Sequence, residues 1–151
     1  MLKRFVPFAH AKSIYDIDVS FYKRMHVKYV LSDLDNTLDS YRQKKPLTKA
    51  KELKKVLNNE GIELIVISNN RGKRVHHYCE QLGVNCFSSL RKPFAHRLCK
   101  ALEKLSINKD ETIMIGDQIV TDISCGNKAK IRTILTEKLV KEDTYTSIHI
   151  E

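Results

Sequence analysis

The chain has 151 residues and a formal net charge of +9, with 42% hydrophobic and 30% charged residues. This length predicts a single domain over residues 1–151. We expect its core at about 27–135, between an N-terminal extension (1–26) and a C-terminal tail (136–151). No apolar run approaches the roughly 18 residues of a membrane-spanning helix. The N-terminus also lacks the apolar segment of a secretory signal. We therefore expect a cytoplasmic protein, whose positive charge favours anionic partners.

The four cysteines give no sign of a metal site or a disulfide framework. They are Cys79, Cys86, Cys99 and Cys125. None forms a C-x-x-C pair, and none is paired with histidines at zinc spacing. We expect small, mostly buried thiols in a reducing compartment.

The first half of the chain predicts two strands and two helices. Residues 27–31 are β-branched and aromatic, which predicts a strand that leads into an aspartate. A helix follows, with Thr48 as its N-cap and Gly61 just past its C-terminus. Residues 62–67 predict a second strand. Apolar residues at helical spacing then predict a second helix, which Gly83 closes.

The second half continues the alternation of strands and helices. Residues 85–88 form a short strand or a loop. Pro93 is predicted to open a third helix, with Phe94 on its apolar face. Three further elements complete the prediction: strands at 112–115 and 131–135, and a short helix at 119–128. Strands alternating with helices predict a Rossmann-like α/β fold, in which helices flank both faces of a parallel sheet.

Polar side chains follow four of these elements in a pattern that predicts a site. In open parallel sheets, ligands bind beyond the carboxyl ends of the strands. Four separate chain regions are therefore expected to meet at one edge. They contribute Asp33 with Asp35, Ser68, Lys92, and Asp117.

The D-L-D-N-T segment at 33–37 carries the strongest single signal. Two carboxylates that leave a strand together repel each other unless a cation lies between them or one takes a proton. Mg²⁺ suits oxygen ligands of this kind. A turn rich in Asp, Asn and Thr would give the same pattern, so the segment alone leaves both interpretations open.

The remaining polar residues each have a functional and a structural interpretation. The Ser68 hydroxyl would bind phosphoryl oxygens or cap a helix. Lys92 would neutralise phosphate charge or lie on the surface. Asp117 would be a third metal ligand or an N-cap. Asp122 would support Lys92 or the metal from outside the immediate contact shell.

As an ordered set, these motifs resemble the haloacid dehalogenase-like (HAD) superfamily across residues 27–135. An aspartate pair, a Ser/Thr, a Lys and a late acidic motif follow the strands in that order. The resemblance is closest to the YqeG-type phosphatases of HAD subclass IIIA. The segments that carry it are M-L-K-R-F-V-P, H-A-K-S-I-Y-D-I, D-L-D-N-T-L, I-S-N-N, R-K-P and G-D-Q-I-V-T-D.

This resemblance implies a Mg²⁺-dependent phosphatase that passes through an aspartyl phosphate. It implies that Asp33 is the nucleophile. Asp35 would protonate the leaving alkoxide and then deprotonate the attacking water. Ser68 and Lys92 would stabilise the transferring phosphoryl group.

The resemblance also implies the residues that bind phosphate and metal. Backbone N–H groups near Asn36 and Asn69 would donate to the phosphate. The predicted phosphate-binding set is Asn36, Thr37 and Asn69. The predicted metal ligands are the Asp33 and Asp117 carboxylates and the Asp35 backbone carbonyl, with Asp122 supporting the site.

The connections after the first two strands limit how the site is covered. Residues 38–62 and 68–92 each hold too little chain for a cap domain. We therefore expect an open site, which would admit phosphoproteins, nucleic-acid ends or lipid headgroups. A lid supplied by oligomerisation is the other arrangement left open. The YqeG type resembles mitochondrial phosphatases that act on phosphatidylglycerophosphate, and the charge suits peripheral contact with an anionic membrane.

Two other classes of protein are alternatives to an enzyme. A signalling receiver domain needs an aspartate after a middle strand, but no aspartate lies between Asp39 and Asp110. A basic nucleic-acid-binding or assembly protein on the same scaffold would use the charge without catalysis. Nucleic acid therefore stays open as a partner.

Overall fold

Six parallel strands form the centre of the computed structural model, which describes residues 2–139. The strands are β1 (Ala9–Ala11), β2 (Tyr29–Asp33), β3 (Glu63–Ile67), β4 (Asn85–Phe87), β5 (Thr112–Gly116) and β6 (Arg132–Thr136). Their order across the sheet is β1-β6-β5-β2-β3-β4. β2 therefore lies at the centre, with β5 on one side and β3 on the other. The predicted parallel α/β fold is confirmed.

Helices cover both faces of the sheet. They are α1 (Val19–Arg24), α2 (Thr48–Asn59), α3 (Lys73–Leu82), α4 (His96–Lys104) and α5 (Ser124–Lys128). A π-helical turn at Ile119–Ile123 leads directly into α5. Successive strand residues point to opposite faces, so Val30 joins the core beneath α2 and α3 while Leu31 joins the core beneath α4 and α5.

Two predicted helix starts were wrong. Thr48 is the first residue of α2, and Leu47 holds the cap position. The backbone of Leu47 is extended, and its carbonyl accepts a hydrogen bond from the Lys51 N–H. α4 begins at His96 rather than Pro93. A turn precedes it, closed by the Phe94 N–H donating to the Arg91 carbonyl. Phe94 is consequently 68% exposed instead of lying on the apolar face.

The N-terminal segment contributes a strand that the sequence analysis did not assign. Ala9 pairs with Ile134, so β1 extends the sheet beyond β6. The side-chain amide of Asn127 donates to backbone carbonyls of the segment at Lys3, Arg4 and Val6. Residues before β2 are therefore integrated into the sheet.

At the edge of the sheet that carries Asp33, loops connect the strands to the helices. The connections from β2 to α2 and from β3 to α3 contain no further strand or helix. This agrees with the expectation that no separate cap domain is inserted there. In the described part of the chain, no helix combines the length and apolar character needed to span a bilayer.

Candidate active site

A buried lysine joins two of the predicted acidic residues. Lys92 Nζ donates to Asp33 Oδ1 at 2.9 Å and to Asp122 Oδ1 at 2.6 Å. The side chains of Lys92 and Asp122 are only 4% and 1% exposed. A buried charge is tolerated when it is paired and hydrogen-bonded, and Lys92 has both kinds of partner. The ends of β2 and β5 and the loop after β4 therefore converge, as predicted.

The backbone of Lys92 is fixed by a single side chain. Asn69 Oδ1 accepts from the Lys92 N–H at 2.6 Å, and Asn69 Nδ2 donates to the Lys92 carbonyl at 2.9 Å. Asn69 is one of the residues predicted to bind phosphate, which stays a prediction. In the structure its amide group orients the lysine, a role that no motif indicated.

Asp122 is positioned by the π-helical turn and by a glycine. Its Oδ2 accepts from the Gln118 N–H at 3.2 Å. A Cβ atom added to Gly116 would overlap the Asp122 side chain, so only glycine allows this approach. Asp122, expected to support Lys92 or the metal, thus contacts Lys92 through a direct hydrogen bond.

Asp117 offers an unsatisfied oxygen beside this pair. The Thr37 hydroxyl donates to Asp117 Oδ1 at 3.2 Å. The other oxygen, Oδ2, is buried and has no hydrogen-bond partner within residues 2–139. A buried polar atom without a partner calls for an explanation such as a bound ion. Thr37 thus orients a predicted metal ligand, and its expected binding of phosphate stays a prediction.

The carboxylates lie close enough to hold one cation. One oxygen each from Asp33, Asp117 and Asp122 lies within 4.8 Å of the other two. Hard divalent cations prefer such oxygen ligands. Because Asp122 already accepts from Lys92, Asp33 and Asp117 are the carboxylates best placed to contact a metal.

The electrostatics follow from crowding and burial. Burial raises the pKa of Asp33 to about 7; the Lys92 charge opposes this rise, and the Asp122 charge adds to it. Burial, and then Asp122, raise the pKa of Asp117 above its ordinary value. Burial alone would lower the pKa of Lys92, but Asp33 and Asp122 outweigh it and raise that pKa. The site favours additional positive charge.

Asp35 lies in a separate group of donors. Its Oδ2 accepts from Arg74 at 2.6 Å and from the Asn70 side chain at 3.1 Å, and its Oδ1 accepts from the Arg42 N–H at 3.0 Å. The sequence analysis missed Arg74. The available signal was its place in the first turn of α3, where a cation opposes the helix dipole and needs an acidic partner.

The two remaining predicted residues keep local hydrogen bonds. Ser68 directly follows β3, and its hydroxyl accepts from the Asn70 N–H at 3.0 Å, as in a turn. The Asn36 N–H already donates to the Asp39 carbonyl at 2.7 Å. Phosphate binding by Ser68 and Asn36 stays a prediction.

Comparisons with known proteins bear on the family of this chain. The sequence profile of haloacid dehalogenase-like hydrolases matches residues 3–136. The protein named "Probable phosphatase YqeG" from Bacillus subtilis (strain 168) is 31% identical over 146 residues, covering 96% of this chain and 85% of that protein.

Solved structures share the fold. A protein from Listeria monocytogenes serotype 4b superimposes with a TM-score of 0.62 at 18% identity, covering 77% of this chain and 83% of the other. The 3-deoxy-D-manno-octulosonate 8-phosphate phosphatase from Moraxella catarrhalis, solved with magnesium, phosphate and KDO, superimposes with a TM-score of 0.52 at 20% identity. That match covers 65% of this chain and 62% of the other.

Proposed function

The chain belongs to the haloacid dehalogenase-like hydrolases and is a phosphohydrolase, and we propose that it hydrolyses a phosphomonoester through an aspartyl phosphate on Asp33, with Mg²⁺ as cofactor. The observation that carries this proposal is the Lys92–Asp33 contact beside the unsatisfied oxygen of Asp117. A nucleophile, a fixed cation and an open ligand position then share one sheet edge.

In the first step, an Asp33 oxygen attacks phosphorus and the bond to the leaving alkoxide breaks. Asp35 gives its proton to that alkoxide. Lys92, whose backbone Asn69 holds, neutralises charge on the phosphoryl oxygens. In this proposal, the Ser68 hydroxyl and backbone N–H groups near Asn36 and Asn69 donate further hydrogen bonds to the phosphoryl group.

In the second step, water attacks the phosphorus of the aspartyl phosphate. Asp35 accepts a proton from that water, and the bond between phosphorus and Asp33 breaks. The Arg74 and Asn70 contacts favour the ionised carboxylate of Asp35, which is the form that accepts this proton.

The residues present fit a divalent cation. The Asp33 and Asp117 carboxylates and the Asp35 backbone carbonyl would hold Mg²⁺, with Asp122 supporting through Lys92. When bound, the cation supplies positive charge that stabilises the ionised carboxylates and the transferring phosphoryl group. The Moraxella catarrhalis phosphatase with magnesium and phosphate lends support to this choice.

For the substrate we propose an anionic lipid headgroup of the phosphatidylglycerophosphate type, reached by peripheral contact from the cytoplasm. Phe94 and Val120, 68% and 63% exposed, follow Lys92 and Asp117 by a few residues and give these chain segments exposed apolar side chains. Lys128 lies over the Phe94 ring at 5.7 Å. Apolar and basic groups together suit a bilayer surface with anionic lipid.

Phosphate release from a panel of phosphomonoesters that includes phosphatidylglycerophosphate tests the proposal. We expect release with Mg²⁺ and its loss with a chelator. Asp33→Asn should lower the rate on the order of a thousand-fold or more. Asp110→Asn, at an exposed aspartate, is the control and should retain full activity.

Full activity of Asp33→Asn would rule out the proposed nucleophile. Folded protein that is silent across the panel but binds RNA, even after loss of Asp33 and Asp117, would favour the nucleic-acid-binding alternative. Release from water-soluble esters alone would remove the lipid proposal and leave the mechanism standing.

A further inference from the structure

A second group of reactive side chains lies at the β4 edge of the sheet. The helix α3 ends where the N–H groups of Gly83 and Val84 both bond the Cys79 carbonyl, at 2.8 and 3.0 Å. This turn sends the chain back into β4, where Cys86 pairs with Val66 of β3. Paired residues point to the same face of a sheet. Cys86 therefore points toward the face that α3 covers.

The two thiols face the same core. Cys79 belongs to the core beneath α3, and Cys86 is half-buried and packs against that same core. The two groups are near enough for each to shift the pKa of the other. Among the described strands, β4 lies at one edge of the sheet, so Cys86 is not enclosed by a further strand.

A histidine bridges this pair to a serine. His76 Nδ1 lies 3.4 Å from Cys86 Sγ, and His76 Nε2 lies 3.2 Å from the Ser88 hydroxyl. With each ring nitrogen near a partner, the imidazole is held in one orientation beside the sulfur. A positioned imidazole next to a thiol is a common way to favour the thiolate.

The charges assign different roles to the two sulfurs. The interaction with Cys79 and the neighbouring His76 lower the pKa of Cys86 below the ordinary thiol range. The pKa of Cys79 is raised, first by its interaction with Cys86 and then by burial. Cys86 is therefore the more reactive sulfur, and Cys79 is held beside it as a thiol.

We propose that Cys86 and Cys79 form an oxidisable dithiol that hydroperoxides convert to an intramolecular disulfide. The Cys86 thiolate attacks a hydroperoxide oxygen, the O–O bond breaks, and the released alkoxide or hydroxide takes a proton. Cys86 becomes a sulfenic acid. The Cys79 sulfur then attacks the Cys86 sulfur and water leaves with the Cys79 proton. Two thiols lose two electrons, and the hydroperoxide gains them.

The other two cysteines provide an internal reference. Cys99 is half-buried, and Lys109 Nζ lies 3.4 Å from its sulfur. Cys125 is buried, and burial raises its pKa. Neither sulfur has a histidine contact in the described residues. Cys99, a half-buried thiol beside a lysine, therefore serves as the comparison for the dithiol.

Treatment of the folded full chain with hydrogen peroxide, followed by alkylation and peptide mass spectrometry, tests the proposal. We expect a Cys79–Cys86 bridge while Cys99 and Cys125 stay largely reduced. In Cys79→Ser, and independently in Cys79→Ala, dimedone should trap Cys86 as the sulfenic acid. His76→Asn should slow oxidation of Cys86 about ten-fold. His77→Asn is the matched control, because His77 contacts Gln81 instead, and it should leave the rate unchanged.

Three results would overturn the proposal. They are a folded chain that forms no Cys79–Cys86 bridge, oxidation of Cys99 as fast as that of Cys86, and equal rates for His76→Asn and His77→Asn. None of these readouts depends on phosphatase activity, so the dithiol stands or falls separately from the catalytic proposal.

Discussion

Lys92 lies closer to Asp122 than to Asp33, at 2.6 Å against 2.9 Å. Asp122 is fully buried and accepts a hydrogen bond from the Gln118 N–H, which fixes its position. If Asp33 becomes an acyl phosphate, the negative charge of the phosphoryl group replaces that of its carboxylate. Asp122 then still holds Lys92 charged and in place.

Removing the shared Lys92 cation should leave the carboxylates of the acidic cluster repelling one another. For Lys92→Met, we expect the free energy of unfolding to fall by about 3–5 kcal/mol in chelator, because buried carboxylates lose their partner. Added Mg²⁺ should recover part of this loss. Urea denaturation with and without Mg²⁺ measures both effects. Lys100→Met, at an exposed lysine, should behave as wild type, whereas wild-type stability of Lys92→Met in chelator would contradict the expectation.

Gly116→Ala should disturb Asp122 through sterics alone. The added methyl group overlaps the Asp122 side chain, which must shift from its position beside Lys92. We expect a loss of about 1–3 kcal/mol in stability and at least a roughly ten-fold lower phosphatase rate. In Gly61→Ala the new Cβ meets no atom within 4 Å, but the φ of +73° is strained. That control should lose about 1 kcal/mol with no change in rate, and equal rates for the two variants would refute the steric account.

Two buried tyrosines should respond differently to loss of the hydroxyl. Tyr78 donates to Asp39 Oδ2 at 2.6 Å, so Tyr78→Phe removes a donor from a buried carboxylate. We expect a loss of about 1.5–3 kcal/mol in unfolding free energy. The Tyr22 hydroxyl is buried without a partner in residues 2–139, so Tyr22→Phe should be neutral or stabilising. Chemical denaturation of the two variants checks this order, and the reverse order would be inconsistent with these contacts.

The same tyrosines predict sensitivity to alkali. Burial raises the pKa of Tyr22 and of Tyr78 above the ordinary value of 10.0. The unfolded chain therefore releases these protons first. Their contribution is fully present below about pH 10 and is lost as pH rises toward the folded-state pKa values. We expect the urea midpoint to decrease as the pH is raised above about 10. The urea midpoint of Tyr22→Phe should decrease less steeply with pH, whereas that of Tyr41→Phe, at an exposed ring, should match wild type.

The convergence of Asp33, Lys92 and Asp122 was predictable because it depends on topology. Alternating strands and helices dictate a parallel sheet, and parallel strands bring the residues after them to one edge. The roles of Ser68 and Asn36 need a bound phosphate to be visible, so they stay predictions.

Other features depend on contacts that local sequence does not encode. Ala9–Ala11 is too short and too small to predict a strand, and it forms one because β6 offers an open edge. The Asn69 clamp on Lys92 joins residues 23 apart through side-chain geometry. Phe94 looked like a core residue, but the turn before α4 directs it outward.

The pairing of β1 with β6 also affects how the chain can fold during synthesis. The Phe8 N–H donates to the Thr133 carbonyl, a contact between residues 125 apart. During translation the first strand leaves the ribosome long before its partner exists. Pairing at so great a sequence distance is slow, because a large loop must close before the contact forms. We expect β2, β3 and β5 to assemble first, so that β1, although it is synthesised before them, is among the last strands to join the sheet.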